Sequence, residues 1–265
     1  MQDILVPKSQ NKFNGKTKTI GDRLSQTART KVPTLNKKLS PAKPTKLWNE
    51  YWKLAAKRQE LFFDSVKGGQ STCVTDPILN EYKFTNAYRA SDRVSQYLIK
   101  HVIYDGDFNN DDLFYRIMIF KTFNKISTWK LIEAQLGEIT WSTYDFDKID
   151  SILSNEMASK RSIYSAAYIM ASGKTFFGHN RKHSNHLRLI QRMLDDEVPS
   201  QISNMNSMRE VFELLRSYPT IGDFLAFQYV IDINYSPLTN FSEMDFVVAG
   251  PGAKDGIRKC FSDLG

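Results

Sequence analysis

The chain has 265 residues, 41% of them hydrophobic and 12% aromatic, enough for one large domain or two small ones with a substantial core. Its net charge of +7 is uneven: residues 1–46 hold eleven Lys and Arg against two Asp, a net of +9, while the remainder nets −2. No apolar run approaches the roughly 20 residues that span a bilayer. The polar, basic start is not a secretory signal, and Cys73 and Cys260 lie far apart without partner motifs, which argues against a disulfide framework or zinc site and fits a reducing cytoplasm.

Residues 1–46 are rich in Lys, Thr, Ser, Asn and Pro. They read as a flexible basic arm, unable to bury enough surface to offset its ordering entropy but able to add phosphate affinity. A folded domain is expected over 47–265. Leu47, Tyr51, Leu54, Leu61 and Phe62 recur at helical spacing over 47–66, and Gly68 and Gly69 stop that helix. Asp76-Pro77 marks a turn. A second helix is predicted over 91–103, capped by Ser91. A third, over 111–124, opens with two acids favoured by the helix dipole. Further helices are predicted at 127–136, 145–157, 185–196, 207–217, 222–232 and 253–262, and the best short strand is Asp245–Ala249. Phe120, Phe123 and Trp129 are expected in the core. The class is mainly α.

Polar residues cluster in three places. Asn86, Arg89, Asp92, Arg93 and Gln96 crowd one short segment; Arg89, Arg93 and Gln96 are spaced to share a helix face that reads a base edge or holds phosphates. An Arg–Asp network pinning the loop to the core is the competing structural reading. Gln228, Asp232 and Asn234 follow a turn; the first two face one way, and Asn234 is also placed to cap its helix. The segment AGPGAKDGI, with Gly250, Gly252 and Lys254, could cradle a phosphate at a helix N-terminus, but it lacks Walker spacing; a packing turn is the alternative. His179, His183 and His186 lack a carboxylate partner of the usual metal-site type, and the flanking Arg181, Lys182 and Arg188 would repel a cation, so no metal is expected; with Lys174 they suit a basic DNA-contacting loop.

Residues 214–226 read LLRSYPTIGDFLA. A helix ending at Tyr218, a tight turn through Pro219, Ile221 and Gly222, and a new helix at Asp223 resemble a helix-hairpin-helix element, whose turn amides approach a DNA phosphate; any helical hairpin in an all-α core is the alternative. In helix-hairpin-helix DNA glycosylases a catalytic Asp follows the hairpin glycine by about two dozen residues or slightly fewer, and Asp245 lies 23 residues after Gly222. On that resemblance Asp245 would stabilise a cationic sugar, in a two-lobed glycosylase-like helical domain. The Lys that forms a Schiff base in bifunctional members has no counterpart in Asp223, Phe224 or Leu225.

Longer phrases carry a narrower likeness: FTNAYRASDRVSQYLI (84–99), FYRIMIFKTFNKISTW (114–129), SYPTIGDFLAFQYVIDINYS (217–236) and FSEMDFVVAGPGAKDGIRKCF (241–261). Together they resemble the helical domain associated with 5-hydroxymethyluracil DNA kinases, in a family that includes alpha-glutamyl/putrescinyl thymine pyrophosphorylases, over about residues 48–265. The resemblance implies work on hypermodified pyrimidines of phage DNA. Many members continue with a further segment, whereas this chain stops at Gly265, so a short form or a missing part is expected.

The resulting expectation is a cytoplasmic, monomeric, cofactor-free DNA glycosylase excising a bulky modified pyrimidine from double-stranded DNA in anti-phage defence. Asp245 would be catalytic. Gln228, Asp232, Asn234, Asn86, Arg89, Asp92, Arg93 and Gln96 would face the substrate. Pro219, Ile221, Gly222, Gly250, Gly252, Lys254 and Lys182 would face the backbone. An amine transferase on pyrophosphorylated 5-hydroxymethyluracil, and a non-catalytic DNA-binding module, are the alternatives.

Overall fold

The computed structural model describes residues 41–68, 76–82 and 84–263. Most of the basic arm, Gly69 and Cys73 lie outside them. The described residues are mainly helical. Lys43–Pro44 (β1) pairs antiparallel with Phe261–Asp263 (β2). Between them run α1 (Lys46–Val66), α2 (Pro77–Glu81), a 3-10 turn (Arg89–Ser91), α3 (Arg93–Tyr97) continued by a π-helical stretch (Leu98–Ile103), α4 (Asn110–Phe123), α5 (Ile126–Leu136) and α6 (Phe146–Ala158). Then follow α7 (Lys174–Phe177), α8 (Lys182–Asp195), α9 (Val198–Ser203), α10 (Met208–Arg216), α11 (Asp223–Asn234) and α12 (Pro251–Cys260).

Helix α4 is the axis of the core. Asn109 caps it by accepting from the Asp112 amide at 2.9 Å, Asp111 and Asp112 complement its dipole, and Asn124 ends it in the left-handed conformation with φ 47°. Every side chain from Leu113 to Phe123 is buried, because α4 packs against the π stretch, α5, α8, α9 and α11; an all-round buried helix carries no polar face. Arg116, Lys121 and Thr122 are its buried polar residues, and Arg116 is matched by backbone. It donates to the carbonyls of Val102 at 2.7 Å and His101 at 3.2 Å, near the C-terminal end of the π stretch, and to that of Ile139, in the loop after α5, at 2.9 Å. Phe120, Phe123 and Trp129 are in the core as expected.

Helices α10 and α11 form a tight antiparallel pair. α10 turns Val211, Phe212, Leu214 and Leu215 inward, and α11 answers with Ala226, Tyr229, Val230 and Ile233. The connection buries Tyr218, Pro219 and Ile221. Its left-handed residue is Thr220 (φ 69°), whereas Gly222 is extended and exposed.

Three local expectations are corrected. Residues 245–249 form no strand: only Phe246 is buried, wedged against Phe212 and Phe227, and no partner strand offers a ladder. Ser91 does not cap α3; Asp92 does, accepting from the Val94 amide at 3.0 Å. Asp92 is extended (φ −68°, ψ 143°) and breaks the backbone between Arg89 and α3, so Arg89, Arg93 and Gln96 do not share one helix face. The short helices α2, α7 and α9 carry too few turns to show a periodicity in sequence.

Candidate functional site

A cleft of about 1490 Å³ opens between the 3-10 turn with α3, the C-terminal end of α4, the start of α5, the 159–173 loop and α11. Six cationic side chains line it, Arg58, Arg89, Arg93, Lys121, Lys125 and Lys130, against the carboxylates of Asp92 and Glu243. Such a wall concentrates polyanions.

Its floor is built by three elements. α11 supplies Asp232, buried at 1% exposure. α4 supplies Lys121, whose Nζ pairs with Asp232 Oδ2 at 2.9 Å. The 3-10 turn supplies Arg89, which bonds Asp232 Oδ1 and donates to the Gln228 carbonyl at 3.2 Å. Over them lies the ring of Tyr168, held by a left-handed backbone (φ 57°). The Lys121 ammonium sits 3.7 Å from the ring centroid and the Arg89 guanidinium 5.5 Å, while Phe224 stacks with the same ring at 6.0 Å. Burial pushes the Lys121 ammonium below its ordinary range, with Asp232 opposing and Arg89 reinforcing the shift. For Arg89 burial is the largest single effect and works against the charge too, but Asp232 together with Tyr168 and Tyr235 outweighs it, and the group is held above its usual value.

The loop carrying Tyr168 is fastened to the core. The Ser165 amide donates to the Phe123 carbonyl at 3.0 Å, and the Asn124 amide group donates to Ser165 Oγ at 3.2 Å. The Tyr164 hydroxyl meets His186 Nδ1 at 2.9 Å, and His186 Nε2 meets the Ala171 carbonyl at 2.8 Å. Burial pushes His186 down to about 4, so the ring is neutral, with Nε2–H donating and Nδ1 accepting. His183, also lowered by burial, lies 3.1 Å from Ser154 Oγ. These two histidines belong to the core, not to a DNA-contacting loop. Lys182 lies over the Tyr164 ring at 4.8 Å. Among the described residues no group of His, Cys, Asp or Glu is placed to hold a metal ion, and no helix is long and apolar enough to cross a membrane.

Of the residues singled out in sequence, Asn86, Arg89, Asp92, Arg93 and Gln228 line the cleft, and Asp232 underlies it. Gln96 is exposed outside the lining and donates to the Ala90 carbonyl. Asn234 is consumed by its own loop: its Oδ1 accepts from Thr239 Oγ1 and the Phe241 amide, both at 2.9 Å, and its Nδ2 donates to the Phe241 carbonyl at 2.9 Å. Asp245 is exposed; Glu243 and Val247 on either side of it line the cleft and it does not. Gly250, Gly252 and Lys254 open α12, where a Cβ on Gly250 would meet Phe224 at 3.1 Å. Pro219 and Ile221 are buried in the hairpin turn and Gly222 is exposed at it. Sequence reasoning missed Lys121 and Tyr168. The signal for Lys121 was a cation inside a largely apolar run, IMIFKTF.

Comparison with known proteins accounts for most of the chain. A family model described as "5-hmdU DNA kinase, helical domain" matches residues 45–265. A curated "5-hmdU DNA kinase" of Bacillus phage SP10 is 28% identical over 238 residues, which cover 83% of this chain and 37% of that protein. No solved structure matches. These matches correct the expected reaction. Both descriptions name a kinase, so base excision, the defence role attached to it and the amine-transfer alternative are set aside, and the role given to Asp245 goes with them. The chain spans about 37% of the length of the curated relative, and by the model that matches it from residue 45 onward it belongs to the 5-hmdU DNA kinase helical-domain family.

Proposed function

We propose that this protein acts in the phosphorylation of 5-hydroxymethyluracil nucleotides in DNA, and that the cationic cleft holds the nucleotide to be modified. The observation that carries this reading is the cleft itself, with six cations against two carboxylates around an aromatic floor. Its volume exceeds the roughly 300–1,000 Å³ of small-molecule pockets and suits a strand with one base turned out of the stack. In the reaction, the 5-hydroxymethyl oxygen attacks the γ-phosphorus of a nucleoside triphosphate. A new P–O bond forms, the bond to the β-phosphate oxygen breaks, the nucleoside diphosphate leaves and the hydroxyl proton is lost to a base or to water. Phosphoryl transfer asks a protein mainly for positioning and charge stabilisation, which is what a rigid basic cleft offers.

The α10–α11 hairpin serves as a helix-hairpin-helix contact to the DNA backbone in this reading. Gly222 is exposed at the start of α11, and a Cβ built on it meets nothing within 4 Å, so a phosphate can reach the backbone there. The test is incubation of the protein with ATP and duplex DNA containing 5-hydroxymethyldeoxyuridine, followed by nucleoside mass spectrometry and a parallel binding comparison with thymine-only DNA. The expected results are a phosphomonoester of the modified nucleoside and preferential binding of the modified duplex. Unaltered nucleosides together with equal binding of both duplexes would contradict the proposal.

A further inference from the structure

The floor of the cleft holds one buried cation, Lys121, one half-buried cation, Arg89, and the buried carboxylate of Asp232. Lys121 is 5% exposed yet reaches the cleft lining. Its ammonium has three donors; Asp232 engages one direction at 2.9 Å and the Tyr168 face another at 3.7 Å. Arg89 shares the same Asp232, and its Nε is buried without a hydrogen-bond partner. Of the other carboxylates of the cleft, Asp92 caps α3 through the Val94 amide, and Glu243 lines it from the 235–250 loop. Asp92 keeps its charge while it caps and acts on Lys121 as well, so the positive surplus belongs to the cleft as a whole, six cations against two carboxylates, with Lys121 as its most buried member, where charge is costly to leave unmatched. Other buried cations of this protein are matched differently: Arg116 spends its fork on three backbone carbonyls.

We propose that the floor is a phosphate-ester site, in which Lys121 and Arg89 together hold one phosphate against the Tyr168 edge of the cleft. A charge-assisted grip by an ammonium and a guanidinium is the chemistry such esters select. The bound anion neutralises the surplus charge, and it opposes the effect of burial on Lys121. The inference rests on the DNA-kinase reading only for the source of the phosphate, either a backbone diester beside the target nucleotide or the monoester formed on the base.

The test uses the full chain and inorganic phosphate, followed by calorimetry and by nuclear magnetic resonance. Phosphate should shift the resonances of Arg89, Lys121, Ala167 and Tyr168 saturably in the unaltered protein. Lys121→Gln, which leaves the Arg89–Asp232 pair intact, should weaken phosphate binding at least about tenfold, since a charged hydrogen bond is worth roughly 1.5–3 kcal/mol. Lys148→Gln, an exposed change on α6 away from the cleft, should leave it unchanged. Two oligonucleotides identify the source: one carrying 5-phosphomethyluracil loses more affinity in Lys121→Gln if the monoester is held, and both it and a 5-hydroxymethyluracil strand lose equally if the backbone is held. Floor resonances that do not move, or a Lys121→Gln protein that binds phosphate as the unaltered one does, overturn the proposal; the resonance readout stands even if the variant fails to fold. Saturable binding at the floor without preference for modified DNA supports the phosphate site while removing the kinase reading.

Discussion

At the scale of single residues, His186 ties the site to pH. It joins the loop that carries Tyr168 to helix α8 through Tyr164 and the Ala171 carbonyl. Its folded value is lowered by burial from 6.5 to about 4. Between those values the unfolded chain binds a proton that the folded protein refuses, so this contribution to stability is complete above pH 6.5 and is lost as pH falls toward 4. A shift of that size corresponds to something on the order of 3 kcal/mol. His183 is lowered in the same direction and adds to the effect. Urea unfolding at pH 7 and pH 5 should show lower stability at pH 5, with the difference clearly reduced in His186→Gln. A pH dependence unchanged by that substitution would show that the ring is not held neutral. Residue chemistry was only partly legible beforehand. Arg89 and Asp92 stood out in one polar cluster and Asp232 in another, and an Arg–Asp network pinning the first to the core was one of the readings weighed; the observed Arg89–Asp232 pair joins the two clusters, which no local spacing showed. Lys121 completes it from a helix whose other side chains are buried all round, so nothing in the local pattern marked it as facing a cleft.

Elements were more legible than sites, for a physical reason. Helices of nine or more residues leave repeated traces: apolar spacing along α1 and acids in the first turn of α4. Each was readable within a turn or so of its observed ends. The corrected elements are those whose identity depends on distant partners. Residues 245–249 are apolar enough for a strand but find Phe212 and Phe227 in place of a ladder, while the sheet that does form joins Lys43–Pro44 to Phe261–Asp263 across the length of the domain. The hairpin between α10 and α11 tests a division of labour within one element. Ile221 under the turn and Ala226 between the helices are fully buried, so they serve packing. Gly222 has neither a positive φ nor a neighbour to clash with. Gly222→Ala should therefore change stability by no more than roughly 0.5 kcal/mol, beyond the few tenths expected at a helix cap, and yet lower DNA affinity several-fold by keeping a phosphate off the backbone. Thermal unfolding and fluorescence anisotropy read the two effects separately. Intact DNA binding in a folded Gly222→Ala protein would mean that the turn does not meet the backbone.

For the whole molecule, the sequence conveyed a mainly helical protein and its family, but it placed the chemistry in a reaction that the comparisons contradict. Asp245 matched a spacing rule, and a spacing rule does not state which way a loop faces: the residue is exposed, and its neighbours Glu243 and Val247 turn to the cleft in its place. Charge was misleading as well. The basic surplus lies in residues 1–46, and the rest nets −2, yet folding gathers six cations from positions 58 to 130 around one opening. Segregation of charge in space, invisible to a net count, is what makes the cleft a candidate for DNA. The central claim is that this cleft receives the DNA strand, and the most direct measurement is the salt dependence of binding to a duplex containing 5-hydroxymethyluracil, for the unaltered protein and for Arg93→Gln/Lys130→Gln on the cleft walls. If the walls meet two phosphates, the double variant binds about tenfold or more weakly at low salt and its slope against log salt falls by about 2. An unchanged affinity with an unchanged slope would place the DNA elsewhere on the protein.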